Sequence, residues 1–74
     1  MSEPLNAELQ KLISIATDMA LINKLRIQAI RSMGHLATRE ALLALLDLAA
    51  NENLNVGERD LALKQARNVV RMGH

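Results

Sequence analysis

The hydrophobic positions of this chain recur with the spacing of α-helices along its whole length. The most apolar stretch is residues 40–50, in which Glu40 and Asp47 stand almost alone on the polar side at about 100° per residue. No segment alternates apolar and polar residues with period two, so no strand is expected. The pattern predicts a single helical domain over residues 1–74, with helices at 4–17, 18–33, 38–51 and 56–72.

Residues that commonly cap helices mark the predicted boundaries. Asn55 has Glu58 three positions later, which is the spacing of a capping box. Glycine just beyond a helix favours the left-handed conformation that ends it. The expected N-caps are Asp18, Thr38 and Asn55, and the expected stops are Gly34 and Gly73.

The two halves of the chain echo each other. A shift of 33 residues lays Leu9, Leu12, Ile13, Ile15 and Ala16 over Leu42, Leu45, Leu46, Leu48 and Ala49, and also matches Arg26 to Arg59. A shift of 39 residues instead matches 33–35 to 72–74. A longer second loop would reconcile the two registers. We therefore expect an all-α fold of two stacked antiparallel hairpins with unequal loops, and a compact four-helix bundle is the alternative.

Arg26 and Arg59 each project inside the apolar arc of a helix. A charge at such a buried edge is costly unless it is paired. The repeat of this position predicts that each arginine has an acidic or carbonyl partner.

At these residues the chain resembles the HEAT-repeat family, whose second helices often carry an apolar residue and Arg, then Ala, and close on Leu-Gly or similar. Leu25-Arg26, Ala29 and Met33-Gly34 follow that pattern. The resemblance implies stacked antiparallel helix pairs that bind proteins and, less often, nucleic acid. The chain departs from the family at Ala20, where Asp is frequent, and at Glu58, where an aliphatic residue is expected.

The amino-acid composition limits which kinds of binding partner and which cellular compartment are expected. At 74 residues the chain forms one domain at most, burying roughly 60% of the unfolded surface. Its core must be aliphatic, because it has no Phe, Tyr or Trp, and it has no Cys for a disulfide or a thiolate metal site. The net charge of +1 favours no partner by itself. Without a secretory signal pattern or a long apolar run, the chain is expected to be cytoplasmic, with no membrane partner.

The sequence contains few residue combinations that could support catalysis. His35 and His74 are isolated, and no helical pair of histidines or phosphate-cradling glycine loop is present. We therefore expect no enzyme activity, no cofactor, no metal site and no small-molecule substrate.

Two functional interpretations remain open. The first is a protein–protein interaction or adaptor module that self-associates, for example as a homodimer, or docks on a partner protein. Two stacked hairpins fall below the three repeats usually needed to cover a solenoid core, so an open apolar end is expected. Its interface candidates are Leu43, Ala50, Leu61 and Met72.

The second interpretation is a small nucleic-acid-binding regulator. Basic residues collect in the second and fourth helices, and side-by-side packing of those helices would give one basic face. The same residues also complement helix dipoles, which is a purely structural explanation. The candidates are Lys24, Arg31, Lys64, Arg67 and Arg71.

Overall fold

The computed structural model describes the backbone of residues 4–72 and the side chains of residues 6–72. Within this range the chain forms four helices and no strand, which confirms the predicted all-α fold. The helices are α1 (Pro4–Ala16), α2 (Asn23–Leu36), α3 (Arg39–Ala49) and α4 (Val56–Arg71).

The helices form two hairpins, α1–α2 and α3–α4, which contact each other mainly through α2 and α4. Short loops make α1 pack against α2 and α3 against α4, and α2 also packs along α4. In the described residues α1 does not contact α4, and it touches α3 only slightly. The domain is therefore a slab 17 Å thick in its Cα positions, and the outer faces of both hairpins remain open.

The two connecting loops have equal length, which corrects the expectation of unequal loops. They span residues 17–22 and 50–55. The end of α1 and the end of α3 are 33 residues apart, as are the starts of α2 and α4. The 33-residue register is thus the structural one, and it places Arg26 and Arg59 at the same position of their helices.

The core is aliphatic and lies between the hairpins. The core residues come from all four helices and from one loop residue, Leu54. The buried set is Leu9, Ala16, Ala29, Ile30, Met33, Ala41, Leu45, Leu48, Leu54, Ala62, Ala66 and Val69. Small side chains in α4 allow that helix to lie close to its neighbours.

Local capping chemistry sets the starts of α3 and α4 as predicted. Thr38 accepts a hydrogen bond from the backbone N–H of Ala41 at 3.0 Å. Asn55 and Glu58 form a full capping box, in which each side chain accepts a hydrogen bond from the other residue's backbone N–H, at 2.8 Å and 3.1 Å.

The second helix starts five residues later than predicted. The side chain of Asp18 accepts a hydrogen bond from the N–H of Ala20 at 2.9 Å, so it stabilises a turn and does not cap a helix. The structural N-cap is Ile22, which has extended backbone angles and no side-chain cap. The chain needs residues 17–22 to reverse direction between two packed helices.

The end of the second helix also differs from the prediction. Gly34 is buried inside α2, and the left-handed residue that ends the helix is Ala37, with φ 53°. Gly34 faces Gln65 of α4, where a Cβ atom would lie 2.9 Å from the Gln65 Cδ atom. Its role is therefore close approach between helices. The other predicted stop, Gly73, lies outside the described residues.

Candidate interaction site

A buried ion pair joins the two hairpins at their loop ends. The Nε atom of Arg26 donates to Oε2 of Glu58 at 2.7 Å, and the side chains are 11% and 1% exposed. The side-chain amide of Asn23 also donates to Glu58. The carboxylate thus stands near the N-terminal turns of both α2 and α4, where the helix dipoles favour negative charge.

The two arginines at the buried edges both bind backbone carbonyl groups. Arg26 donates through Nη1 to the carbonyl oxygen of Leu21, in the loop before its own helix. Arg59 donates through Nε to the carbonyl oxygen of Ala49, at the end of α3, at 2.9 Å. Each arginine therefore fixes the end of one hairpin loop, and Arg26 in addition binds the other hairpin.

The hydrogen bonds to Glu58 keep its side chain ionised. Burial acts to raise the pKa of Glu58, but the N–H of Asn55, the amide of Asn23 and the guanidinium of Arg26 together lower that pKa below its ordinary value. Among the described residues, every buried side-chain polar atom has a hydrogen-bond partner. The polar groups of this cluster therefore satisfy one another's hydrogen bonds among the described residues.

An apolar groove lies on the outer face of the second hairpin, between α3 and α4. Its volume is about 400 Å³, and it is open to solvent. We refer to it as the α3–α4 groove. Its lining residues are Leu42, Leu46, Leu63, Ala66, Val70, Arg67 and Arg71.

The groove exists because α3 is apolar on two sides. One side, with Ala41, Leu45 and Leu48, is buried in the core. The other side carries Leu46, which is 43% exposed, and Leu43, which is 53% exposed. The neighbouring helices cover only the first side, so the second is left facing solvent.

The fourth helix supplies the other wall. Leu63 and Val70 are spaced seven residues apart and so lie on one stripe of α4, and Val70 is 55% exposed. Arg67 and Arg71 stand on the outer edge of the same stripe and line the groove. The wall is thus aliphatic below and cationic at its rim. The set of lining residues includes no acid.

The predicted interface residues divide into two groups. Leu43 and Ala50 are exposed and flank Leu46 at spacings of three and four residues, but they are not among the lining residues of the groove. Leu61, expected to be an exposed surface residue, is half-buried and packs against the core; it lies one turn before Gln65, which meets Gly34 of α2. Met72 is exposed at the end of α4.

The predicted basic residues are all exposed, and they lie on α2 and α4. Lys64, Arg67 and Arg71 share one side of α4, because they follow each other at spacings of three and four residues. Arg67 and Arg71 line the α3–α4 groove. Lys24 and Arg31 belong to the exposed side of α2. Lys64 forms a surface ion pair with Asp60 at 3.1 Å. Of the five basic residues, only Arg67 and Arg71 line the apolar groove.

The five aliphatic groove residues were missed as candidates in the sequence. They belong to the apolar arcs from which a core is predicted, and the pattern alone does not show which part of each arc a neighbouring helix covers. These residues are Leu42, Leu46, Leu63, Ala66 and Val70. The available signal was the width of these arcs, since an apolar surface on nearly every side of α3 exceeds what three companion helices can cover.

Other kinds of site have no counterpart in the described residues. Within residues 4–72, no group of three or more His, Cys, Asp or Glu side chains is placed to hold a metal ion. None of the helices in this range is both long and apolar enough to cross a membrane. Comparison of the chain with protein-family models, with curated proteins and with solved structures finds no match.

Proposed function

We propose that this protein is a non-catalytic, cytoplasmic protein–protein interaction module that docks through the α3–α4 groove, either on a partner protein or on another copy of itself. The observation that carries the proposal is the double-sided character of α3, which buries Leu45 and presents Leu46 and Leu43 to solvent. Solvent-exposed apolar groups gathered in a groove with a polar rim are typical of protein-binding surfaces.

The HEAT-like interpretation of the fold is part of this proposal. In a stack of helical hairpins, each hairpin covers the outer face of the one before it. The α3–α4 groove occupies the face on which a third hairpin would pack. A partner helix seated in the groove would pack there as a neighbouring hairpin does, which supports a docking role for this surface.

Docking can be tested with matched charge insertions. Leu46→Asp places a charge in the groove, and Met19→Asp places the same charge at a comparably exposed apolar position in the α1–α2 loop. Affinity capture and light scattering on both variants and on the unmodified protein compare the partner bound and the mass of the assembly. We expect Leu46→Asp to lose the bound partner or the dimer, while Met19→Asp keeps it.

Two results would contradict this function. One is a monomer at all concentrations that neither retains a partner nor binds an apolar dye. The other is a partner or dimer that survives Leu46→Asp unchanged. Far-UV circular dichroism must show that each variant remains helical, and this is expected because neither altered side chain belongs to the buried core.

A nucleic-acid-binding regulator is the second candidate. Its support is the exposure of all five predicted basic residues. Binding to phosphates would be steeply weakened by salt, whereas apolar docking would change little. A mobility shift of duplex DNA that disappears on raising the salt concentration, and that is lost in the Arg67→Glu/Arg71→Glu variant, would favour this candidate. The absence of a shift at low salt would exclude it.

A further inference from the structure

We infer that the occupant of the α3–α4 groove is an amphipathic helix of another protein, with an aliphatic face bordered by Asp or Glu side chains. This inference rests on the proposed docking function and adds the chemistry of the partner. It follows from the shape of the groove, from the charge of its rim, and from the charges that the same groove of a second copy would place opposite that rim.

The lining residues follow the periodicity of the two helices that form the walls. Leu42 and Leu46 are four residues apart on α3, and Leu63 and Val70 are seven apart on α4. A channel between two packed helices receives the side-chain ridge of a third helix. Polar orienting groups are confined to the two rim arginines, so the floor suits aliphatic side chains and not a polar small ligand.

The positive charge at the groove rim favours some partner helices over others. Arg67 and Arg71 are four residues apart and lie along one edge of the groove. No acidic residue belongs to the groove lining to neutralise them. A bound helix with acidic residues beside its apolar stripe would form two ion pairs, whereas a basic helix would be repelled.

In a symmetric pairing through this groove, the lining residues of the second copy's groove include no acid to face the arginines. On α3, the exposed Asp47 is four residues from Leu43 and is not among the groove-lining residues. The first hairpin has a smaller groove of about 210 Å³, lined by Leu12, Ile15, Leu25, Gln28, Ala29 and Ser32, which again includes no acid. A twofold dimer through the α3–α4 groove would instead bring the arginine rims of both copies near one another. Charge complementarity thus favours a different, acidic partner.

The inference can be tested with two synthetic helical peptides of 16 residues, the length of α4. Both carry the same stripe of Leu residues and one Trp, and they differ only in having Glu or Lys beside the stripe. Because the protein has no Trp or Tyr, peptide fluorescence reports binding directly. We expect the Glu peptide to bind about 10-fold more tightly than the Lys peptide, from two rim ion pairs.

Two pairs of neutralising substitutions isolate the rim. Arg67→Gln/Arg71→Gln is expected to reduce the preference for the Glu peptide to within about 2-fold. Lys24→Gln/Arg31→Gln removes the same charge from the exposed side of α2 and should leave the preference unchanged. Leu43→Asn, an uncharged polar change at an exposed position beside the groove, should weaken both peptides alike.

The possible failures are distinguishable. Equal binding of both peptides, or preference for the Lys peptide, would overturn the acidic-helix inference and leave the docking function standing. Binding of neither peptide, together with a dimer that Leu46→Asp dissociates, would also overturn the inference in favour of a second copy. Binding of neither peptide by a monomer that retains no partner would overturn both the inference and the proposed function.

Discussion

Arg26 and Glu58 connect the first turn of α2 to the first turn of α4 through a buried ion pair of 2.7 Å. The two residues belong to different hairpins and are 32 positions apart in the chain. Glu58 also completes the capping box of its own helix. One carboxylate therefore determines both where α4 begins and how the second hairpin docks on the first.

Removing the Glu58 carboxylate should be the most damaging change to this junction. Glu58→Ala leaves the Arg26 guanidinium buried without its partner, and such losses cost about 3–5 kcal/mol. Glu58→Gln keeps the shape but not the charge, with an expected cost of about 1.5–3 kcal/mol. Urea unfolding followed by far-UV circular dichroism measures both free energies of unfolding.

The control for this prediction is Asp60→Asn, two residues further along α4. Asp60 is exposed and forms a surface ion pair with Lys64, so its loss should cost less than about 1 kcal/mol. If the two acidic positions proved equally sensitive, the assigned importance of the junction would be wrong.

The stability contributed by Glu58 should depend on pH in the acidic range. Its pKa is lowered in the folded protein from an ordinary value of 4.5. The unfolded chain then binds more protons in this range, so the contribution is complete above about pH 4.5 and is lost as pH falls through the folded pKa. The difference in free energy of unfolding between the unmodified protein and Glu58→Gln should therefore shrink on acidification. A difference that stays constant or grows below that pH would refute the lowered pKa.

Boundaries set by neighbouring residues could be predicted from the sequence, and those set by tertiary contacts could not. The caps at Thr38 and Asn55 depend on hydrogen bonds within four residues, and the sequence shows both partners. The start of α2 depends instead on Arg26, which binds the Leu21 carbonyl group while it reaches across to the other hairpin. No local pattern contains that information.

The residues of the candidate site could likewise be predicted only in part from the sequence. Leu43, Arg67 and Arg71 could be singled out because they lie outside the main apolar arcs or form part of a basic cluster. Leu46 and Val70 could not, since an apolar residue at the edge of an arc is buried or exposed according to where the adjacent helix lies. The sequence predicts an excess of apolar surface on α3, while the structure shows that the excess forms a groove.

The left-handed residue after α2 gives a prediction of increased stability. Ala37 has φ 53°, a conformation that costs a residue with a Cβ atom roughly 1–2 kcal/mol. Ala37→Gly removes that cost but adds about 0.5–1 kcal/mol of backbone entropy in the unfolded chain. We expect a net gain of about 0.5–1 kcal/mol, measured as a higher midpoint of thermal unfolding.

The matched control is Ala7→Gly, on the exposed side of α1. The same substitution in a helix interior should destabilise the protein by about 1 kcal/mol, because Gly is a poor helix former. Opposite signs for the two variants would verify that the effect at Ala37 comes from its left-handed backbone. A loss of stability at both positions would argue against it.

Gly34 should tolerate a methyl group only when Gln65 is shortened. In isolation Gly34→Ala improves helix propensity by about 1 kcal/mol, but overpacking of a close contact costs about 1–3 kcal/mol. A Cβ atom at position 34 would meet the Gln65 Cδ and Cβ atoms at 2.9 Å and 3.1 Å, so the Gln65 side chain would have to leave its position and its Cβ atom would have to shift slightly. We expect Gly34→Ala to be destabilising in the unmodified protein.

Gln65→Ala removes the atoms of the clash beyond Cβ, so Gly34→Ala in that background should be neutral or stabilising. The coupling free energy from the double-mutant cycle is expected to be about 1 kcal/mol or more. Gly57→Ala is the control, because its Cβ atom would make only an ordinary contact of 3.4 Å, with Asn55, and helix propensity should then dominate. Additive effects at positions 34 and 65 would mean that the hairpins do not depend on this close approach.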